Sequence, residues 1–238
     1  MQLALPLAAL AIFALLGVAA TPWALAVILV LSAPSVTGSP NFTQLLGHDP
    51  EPAFRLLLLG TALLPLTMVP IFWVTPTLGD ITASFMAALK LLASISLTVG
   101  LALAARRLAP TQLSIPSRET LDGLMVVLLV VMVLGLMSAL GPALITTPGL
   151  VALWFSLALG LNLGLQVLGF LLLRNGPLTE CAVAYSVVAG NRNFALFLVA
   201  LPQETVDHLL LFLGCYQFPM YLTPLIMRRF YAARVAQN

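Results

Sequence analysis

The residues best suited to chemistry lie together in one apolar stretch, "VVAGNRNFALFL", residues 187–198. Asn191, Arg192 and Asn193 interrupt it, although an arginine at the centre of a membrane helix costs about 2.5 to more than 10 kcal/mol, depending on the measure. Arg192 has no acidic residue within one helical turn, and Glu180 lies about three turns earlier. A buried arginine requires a partner. We therefore expect a carboxylate or carbonyl from another helix, or an anionic ligand, to bind it.

A second polar stretch, "LSAPSVTGSPNFTQLLG", is broken by Pro34, Gly38 and Pro40. Proline removes a backbone donor and blocks the preceding helical turn. At membrane depth the freed carbonyls need partners. Hydroxyl and amide side chains surround this interruption: Ser32, Ser35, Thr37, Ser39, Asn41 and Thr43. We expect these groups, or a bound ligand, to satisfy the broken helix.

The composition places both stretches in a membrane. Of the 238 residues, 61% are hydrophobic and only 8% are charged, whereas soluble domains are about a quarter charged. The net charge of +2 is too small to suggest nucleic acid as a partner. We expect Cys181 and Cys215 to be small core residues, because no paired-cysteine or zinc-type spacing occurs.

About 20 apolar residues cross the hydrocarbon core of a bilayer, and the sequence predicts about eight such helices in an all-α, polytopic integral membrane protein. Their expected ranges are 2–20, 23–47, 53–75, 81–105, 119–141, 148–173, 177–201 and 207–231. Breaker residues separate them at Thr21-Pro22, Asp49-Pro50, Pro76, Pro110, Pro116, Gly141-Pro142, Gly176-Pro177 and Pro202.

The basic residues of the connections fall on one side of this topology. They are Arg55, Arg106, Arg107, Arg118, Arg174, Arg228, Arg229 and Arg234. Because short loops rich in Lys and Arg stay in the cytoplasm, we expect both termini to be cytoplasmic. The protein is then a multi-pass protein of a cell membrane, and we expect the bacterial inner membrane.

The two interrupted segments hold corresponding positions in inverted halves of the chain. Segment 23–47 is the middle one of the first three, and segment 177–201 is the middle one of the last three. Paired interruptions of this kind indicate the binding site of a secondary transporter. Helix ends that meet there carry partial charges able to bind anions and small cations. The alternative is that Pro and Gly only kink two packed helices.

Three stretches resemble the bile acid/sodium symporter superfamily, which includes arsenite effluxers and plastid carriers of organic acids. "SAPSVTGSPNFTQLLGHD" and "AGNRNFALFL" look like its two crossover helices, and "LLGTALLPLTMVP" looks like its next helix, with Thr61 and Pro65 at familiar places. The resemblance implies a core domain, residues 1–76 and 147–238, and a panel-type helix pair, residues 77–146, that moves against it. Family members usually have ten helices, so we expect a short form without the first two, either a divergent member or a truncated gene product.

The chain departs from the family at polar positions that help to coordinate sodium. Val188 stands where the family has an acidic residue, Arg192 where it has glutamine, and Pro40 where it has asparagine. An acceptor is missing and a cation has been added, so we expect transport that is independent of sodium or coupled to something else. The alternative is that Na⁺ still binds, and we expect no other cofactor. In the sodium-independent hypothesis the guanidinium replaces Na⁺, is bound by carbonyls and by hydroxyls such as those of Ser39 and Thr37, and faces an anionic substrate through a bidentate contact.

Three further polar residues lie within apolar segments. Lys90 is near the middle of its segment, either lining the substrate cavity or serving as a snorkelling or interhelical lysine. Asn162 and Gln166 are one turn apart on one helix face, and we expect them to form interhelical hydrogen bonds.

The sequence therefore predicts a secondary active transporter of a small organic anion that works by alternating access. The expected binding residues are Thr37, Ser39, Asn41, Thr61, Lys90, Asn191, Arg192 and Asn193. No catalytic or metal-binding residue is expected, because paired membrane carboxylates, a Ser with a His or Lys base, and an H-E-x-x-H motif do not occur. The alternative is a non-transporting remnant or accessory membrane subunit of the same fold. The expected partners are the anion and the lipid bilayer, with a homo-oligomer left open.

Overall fold

Helices form the regular structure of this chain. The computed structural model describes residues 1–75, 77–78, 81–108 and 114–235. The α-helices of these ranges are α1 (Ala4–Leu15), α2 (Pro22–Ser32), α3 (Ser39–Leu45), α4 (Glu51–Val74), α5 (Ile81–Leu108), α6 (Ile115–Leu136), α7 (Leu140–Thr146), α8 (Pro148–Leu173), α9 (Ala182–Gly190), α10 (Gln203–Tyr221) and α11 (Thr223–Val235). Two short 3-10 helices, Thr179–Cys181 and Phe194–Val199, flank α9. The all-helical fold class is confirmed for the described residues.

Several of these helices are long and apolar enough to cross a membrane. In the described ranges they are Glu51–Val74, Ile81–Leu108, Ile115–Thr146 and Pro148–Leu173. The pair of α10 and α11, bent by 45°, is a fifth candidate. These lengths exceed the roughly 20 residues that span a bilayer core and indicate a membrane protein. By contrast, α1 and α2 have only 12 and 11 residues. The separators expected at Pro76 and Pro110 lie outside the described residues.

The buried core surrounds α2 and α9. Every residue of α2 from Ala24 to Ser32 is buried, and so is every residue of α9 except Tyr185. α8 and α10 each contribute one buried face. In α5 and α6 most described side chains are exposed. A helix that is apolar on all sides is stable when it is buried in protein or in lipid. Accordingly, α2 and α9 lie inside the molecule, and α5 and α6 lie at its surface.

Both expected helix interruptions are present. Residues 33–38 separate α2 from α3. Ala33 is extended, with φ −67° and ψ 151°, because the ring of Pro34 disfavours the helical conformation of the residue before it. Residues 191–193 separate α9 from the 3-10 helix Phe194–Val199. Each pair of half-helices therefore meets at a short non-helical segment.

Candidate functional site

The two breaks lie against each other. Ser35 in the first and Arg192 in the second form an isolated antiparallel bridge. Two backbone hydrogen bonds of 2.9 and 2.8 Å join the residues on either side of this bridge. A helix break inside a membrane leaves backbone groups without partners. Here each break supplies groups that the other lacks, so the two breaks stabilise each other.

Arg192 lies between the C-terminal ends of α2 and α9, and it is 3% exposed. Its Nε donates to the carbonyl of Ala189 at 2.9 Å, and its Nη1 donates to the carbonyl of Ala33 at 3.1 Å. Its Nη2 is 4.0 Å from the sulfur of Met1. The C-terminal end of a helix carries partial negative charge. The ends of both half-helices therefore stabilise the guanidinium.

Among the described residues, no carboxylate pairs with this guanidinium. The ion pair observed in these ranges joins Arg55 to Glu51 on the surface of α4. The expectation that the hydroxyls of Ser39 and Thr37 bind Arg192 is not met. The Ser39 hydroxyl is buried without a hydrogen-bond partner, and the break turns freed carbonyls, rather than hydroxyls, towards the guanidinium. Among the described residues, the partial charges of these carbonyls offset part of the cost of burying this cation.

A cavity of about 440 Å³ adjoins the crossing. Arg192 and Asn193 line it from the second break, Thr37 lines it from the first, and Gln217 lines it from α10. Gln217 is 4% exposed, and its Oε1 has no hydrogen-bond partner. The other walls, from the 3-10 helix Phe194–Val199, α6 and α10, are mostly apolar. A cavity with one cation and apolar walls suits a small anion with an apolar part.

The opposite face of the second break is closed by a buried hydrogen-bond network. Asn162 Nδ2 donates to the carbonyl of Gly190 at 2.7 Å and to Oδ1 of Asn191 at 3.1 Å. Asn162 Oδ1 accepts from Gln166 Nε2 at 2.8 Å. The carbonyl of Gly190 also accepts from the hydroxyl of Tyr216 at 2.5 Å. The interhelical role expected for Asn162 and Gln166 is confirmed.

Two residues of α11 complete this network. Thr223 Oγ1 lies 3.0 Å from Asn191 Oδ1 and 3.2 Å from Gln166 Nε2. The hydroxyl of Tyr231 donates to Gln166 Oε1 at 3.2 Å. The sequence does not single out Thr223 or Tyr231. The local signal that points to them is Pro219 in α10. A proline within a helix is a usual cause of a bend, and α11, which carries both residues, follows the bend at the end of α10.

Gly190 permits the close contact between α8 and α9. A Cβ atom at this position would lie 2.1 Å from the carbonyl oxygen of Asn162 and 2.5 Å from Cγ of Gln166. Glycine is required here because the backbone of one helix touches the backbone of the other. This contact places the second break within reach of the amide groups of α8.

The remaining expected residues lie away from the Arg192 cavity. Asn41 is exposed on α3, and Thr61 is half-buried on α4. Lys90 on α5 lines a different cavity, of about 270 Å³. α5 packs against the 3-10 helix Phe194–Val199, whose residues line the Arg192 cavity. The structure therefore joins Thr37 to the second break and separates Asn41, Thr61 and Lys90 from it.

Neither a family model nor a curated protein matches this chain. The functional proposal therefore depends on the helix crossing, the buried guanidinium and the adjoining cavity.

Proposed function

We propose that this membrane protein is a secondary active transporter of a small organic anion that works by alternating access. The observation that carries the proposal is the buried guanidinium of Arg192, which binds two carbonyls at the helix crossing and has no carboxylate partner among the described residues. Secondary transporters place their ligand sites where discontinuous helices meet. A substrate anion supplies the missing negative charge, and a guanidinium binds a carboxylate through two parallel hydrogen bonds.

The proposal includes transport without sodium. In many transporters the unwound carbonyls and the C-terminal ends of half-helices coordinate Na⁺. Here protein donors occupy those carbonyls. Ala33 and Ala189 accept from Arg192, and Gly190 accepts from Tyr216 and from α8. The guanidinium thus takes the place of a coupling cation.

We also propose eight crossings in two inverted halves, similar to the bile acid/sodium symporters without their first two helices. The four long helical stretches and the bent α10–α11 pair supply five crossings. The segment 2–20, which contains α1, and the two interrupted helices supply the others. Residues 1–76 and 147–238 form the core, and residues 77–146 form a panel. The low burial of α5 and α6 supports a separable panel. Arginines lie near the ends of α5, α8 and α11. Because short loops rich in arginine stay in the cytoplasm, they support cytoplasmic termini in a bacterial inner membrane. The side chains of Arg118 and Arg234 lie outside the described residues.

The second candidate is a non-transporting accessory subunit or remnant of the same fold. The observation that favours it is the exposure of α6. Of the described side chains of α6, Val133 and Leu136 are partly buried and the others are exposed. Such a surface is free to pack against lipid or against a partner chain, including a second copy. An accessory subunit of this kind would bind no anion at Arg192.

Thermal stabilisation of the purified protein by organic anions, measured with and without sodium, tests the proposal. A ligand that binds only the folded state raises stability by RT ln(1 + [L]/Kd). We expect a sodium-independent shift with at least one carboxylate and its loss in Arg192→Gln. Hydrogen bonds to a charged group contribute about 1.5–3 kcal/mol, so the affinity should fall by about 10- to 100-fold.

The matched control is Arg55→Gln, because Arg55 is exposed and pairs with Glu51 on the same helix. This variant should keep the full shift. Uptake of the same anion into proteoliposomes then separates the two candidates: uptake that Arg192→Gln abolishes supports the transporter, and binding without uptake supports the accessory subunit. A shift that requires sodium, or no shift with any anion, contradicts the role assigned to Arg192.

A further inference from the structure

Lys90 is the only lysine in the chain. It lies near the middle of α5, an apolar helix long enough to cross a membrane. A charged amine at this depth is costly, and such residues usually face a water-filled cavity or a partner. No carboxylate pairs with Lys90 in the part of the chain that the structure describes. The amine therefore needs a counter-charge from elsewhere.

The cavity beside Lys90, of about 270 Å³, is separate from the one that Arg192 lines. Its walls come from α4, through Phe72, from α5, and from residues 200–202. Every described side chain at these walls other than Lys90 is apolar. One amine in an otherwise apolar cavity is complementary to a small carboxylate with an apolar body.

One segment of chain connects the two cavities. Residues of the 3-10 helix Phe194–Val199 line the Arg192 cavity, and residues 200–202, which follow directly, line the Lys90 cavity. The same 3-10 helix packs against α5. A displacement of segment 194–202 therefore alters the walls of both cavities at once.

We propose that Lys90 forms a second anion site, which takes a small carboxylate and lies on the substrate path before or after the site at Arg192. Two separate cations, linked by segment 194–202, bind the substrate in turn while that segment moves. The place of this site on a transport path depends on the proposed function, whereas the binding of a carboxylate at Lys90 is independent of that function.

The single lysine makes a direct test practicable. An amine-reactive reagent can modify only Lys90 and the N-terminal amine, provided that any purification tag is free of lysine. The full chain is treated with a water-soluble sulfonated N-hydroxysuccinimide ester, and modification of Lys90 is measured by peptide mass spectrometry. Benzoate is the probe anion, and benzamide is its neutral control of similar shape. A soluble lysine peptide in the same reaction reports the reactivity of the reagent.

We expect the charged reagent to modify Lys90, and benzoate but not benzamide to slow this modification several-fold. Equal rates with benzoate and benzamide overturn the site. Modification only by an uncharged, membrane-permeant ester also overturns it, because Lys90 then faces lipid. Asp80, which lies outside the described residues, provides a further control. If Asp80→Asn speeds modification and benzoate has no effect, Lys90 is a paired structural residue and the proposal is wrong.

The Arg192→Gln variant separates this site from the proposed function. We expect benzoate still to protect Lys90 in this variant while uptake is lost. If uptake depends on Arg192 but benzoate does not protect Lys90, the transporter proposal stands and the Lys90 site fails. If benzoate protects Lys90 but no anion is taken up, the Lys90 site stands and the transporter proposal fails.

Discussion

Asn191 and Arg192 are neighbours in the sequence and both are buried, but they lie on two differently built sides of the second break. Around Asn191, amides and hydroxyls from α8 to α11 bond to one another in a single network. Around Arg192, the guanidinium binds carbonyls, and the cavity residue Gln217 retains an unpaired acceptor. The first side holds the break in place, and the second side adjoins a cavity.

The difference between these two sides follows from packing. On the Asn191 side, Gly190 lets α8 approach to backbone contact, so side chains reach across and satisfy each other. On the Arg192 side a cavity of about 440 Å³ separates the guanidinium from α6. Buried polar networks stabilise a protein when all their members are paired, and unpaired members are costly. Side chains from several helices therefore hold the Asn191 side together, whereas the Arg192 side lines a cavity.

Gly190→Ala should have the largest effect on stability. The added methyl group would lie 2.1 Å from a backbone oxygen of α8, which cannot move aside as a flexible side chain could. Overpacking costs about 1–3 kcal/mol and occasionally more, and we expect little folded protein by size-exclusion chromatography. Gly164→Ala on α8 is the control, because no heavy atom lies within 4 Å of its added methyl group. Equal yields and melting temperatures for the two variants would show that the helix contact is looser than described.

Asn162→Leu should lower stability by roughly 1–2 kcal/mol, the upper range for interhelical hydrogen bonds in membrane proteins. Each partner of Asn162 has a second hydrogen bond, which limits the loss. The measurement is the apparent melting temperature in detergent. Asn41→Leu is the matched control, because Asn41 is exposed on α3. A smaller loss for Asn162→Leu than for Asn41→Leu would remove the structural role assigned to the network.

Arg192→Gln should change the melting temperature less than Asn162→Leu does, although Arg192→Gln should lower the affinity for the anion. Losing the bonds to Ala33 and Ala189 costs stability, but removing a buried cation without a carboxylate relieves a desolvation penalty. Melting curves without added anion test this. If Arg192→Gln unfolds the protein as Gly190→Ala does, both sides of the break are structural and the comparison fails.

Ser39→Ala should have the smallest effect and should raise stability slightly, because an unpaired buried hydroxyl carries a desolvation cost. The Ser39 hydroxyl is buried without a partner, so its removal breaks no hydrogen bond. Ser186→Ala is the control, since the hydroxyl of Ser186 donates to the carbonyl of Ala182. A melting temperature that falls further for Ser39→Ala than for Ser186→Ala would mean that Ser39 has a partner. Weaker anion binding with unchanged stability would add Ser39 to the ligand site.

The helix interruptions could be predicted because their causes are local. Pro34 restricts Ala33 directly, and the glycine and asparagines around residue 190 favour an end to the helix there. The number of membrane crossings is harder to predict, because hydropathy does not distinguish a crossing helix from a short apolar helix inside the protein. α2 and α9 are apolar and buried, and with 11 and 9 residues each is too short to span a bilayer as a single helix.

We expect carbonyls among the partners of Arg192, but the sequence could not identify which ones. They are the carbonyls of Ala33 and Ala189, and every residue carries a carbonyl, so no side-chain pattern marks them. The sequence also could not show which cavity Lys90 lines. A lysine inside an apolar segment suggests a cavity, but Lys90 lines a different cavity from Arg192.

The sequence by itself determined the membrane class, the helical fold, the two breaks and the presence of a buried arginine in one of them. These properties depend on composition and on the conformational limits of Pro and Gly, which act within a few residues. Only the tertiary structure decided that the breaks bond to each other, that Asn191 joins a network of side chains while Arg192 binds carbonyls beside a cavity, and that Lys90 lines a different cavity. Those outcomes depend on the approach of helices far apart in the chain, which is set by packing rather than by local preference.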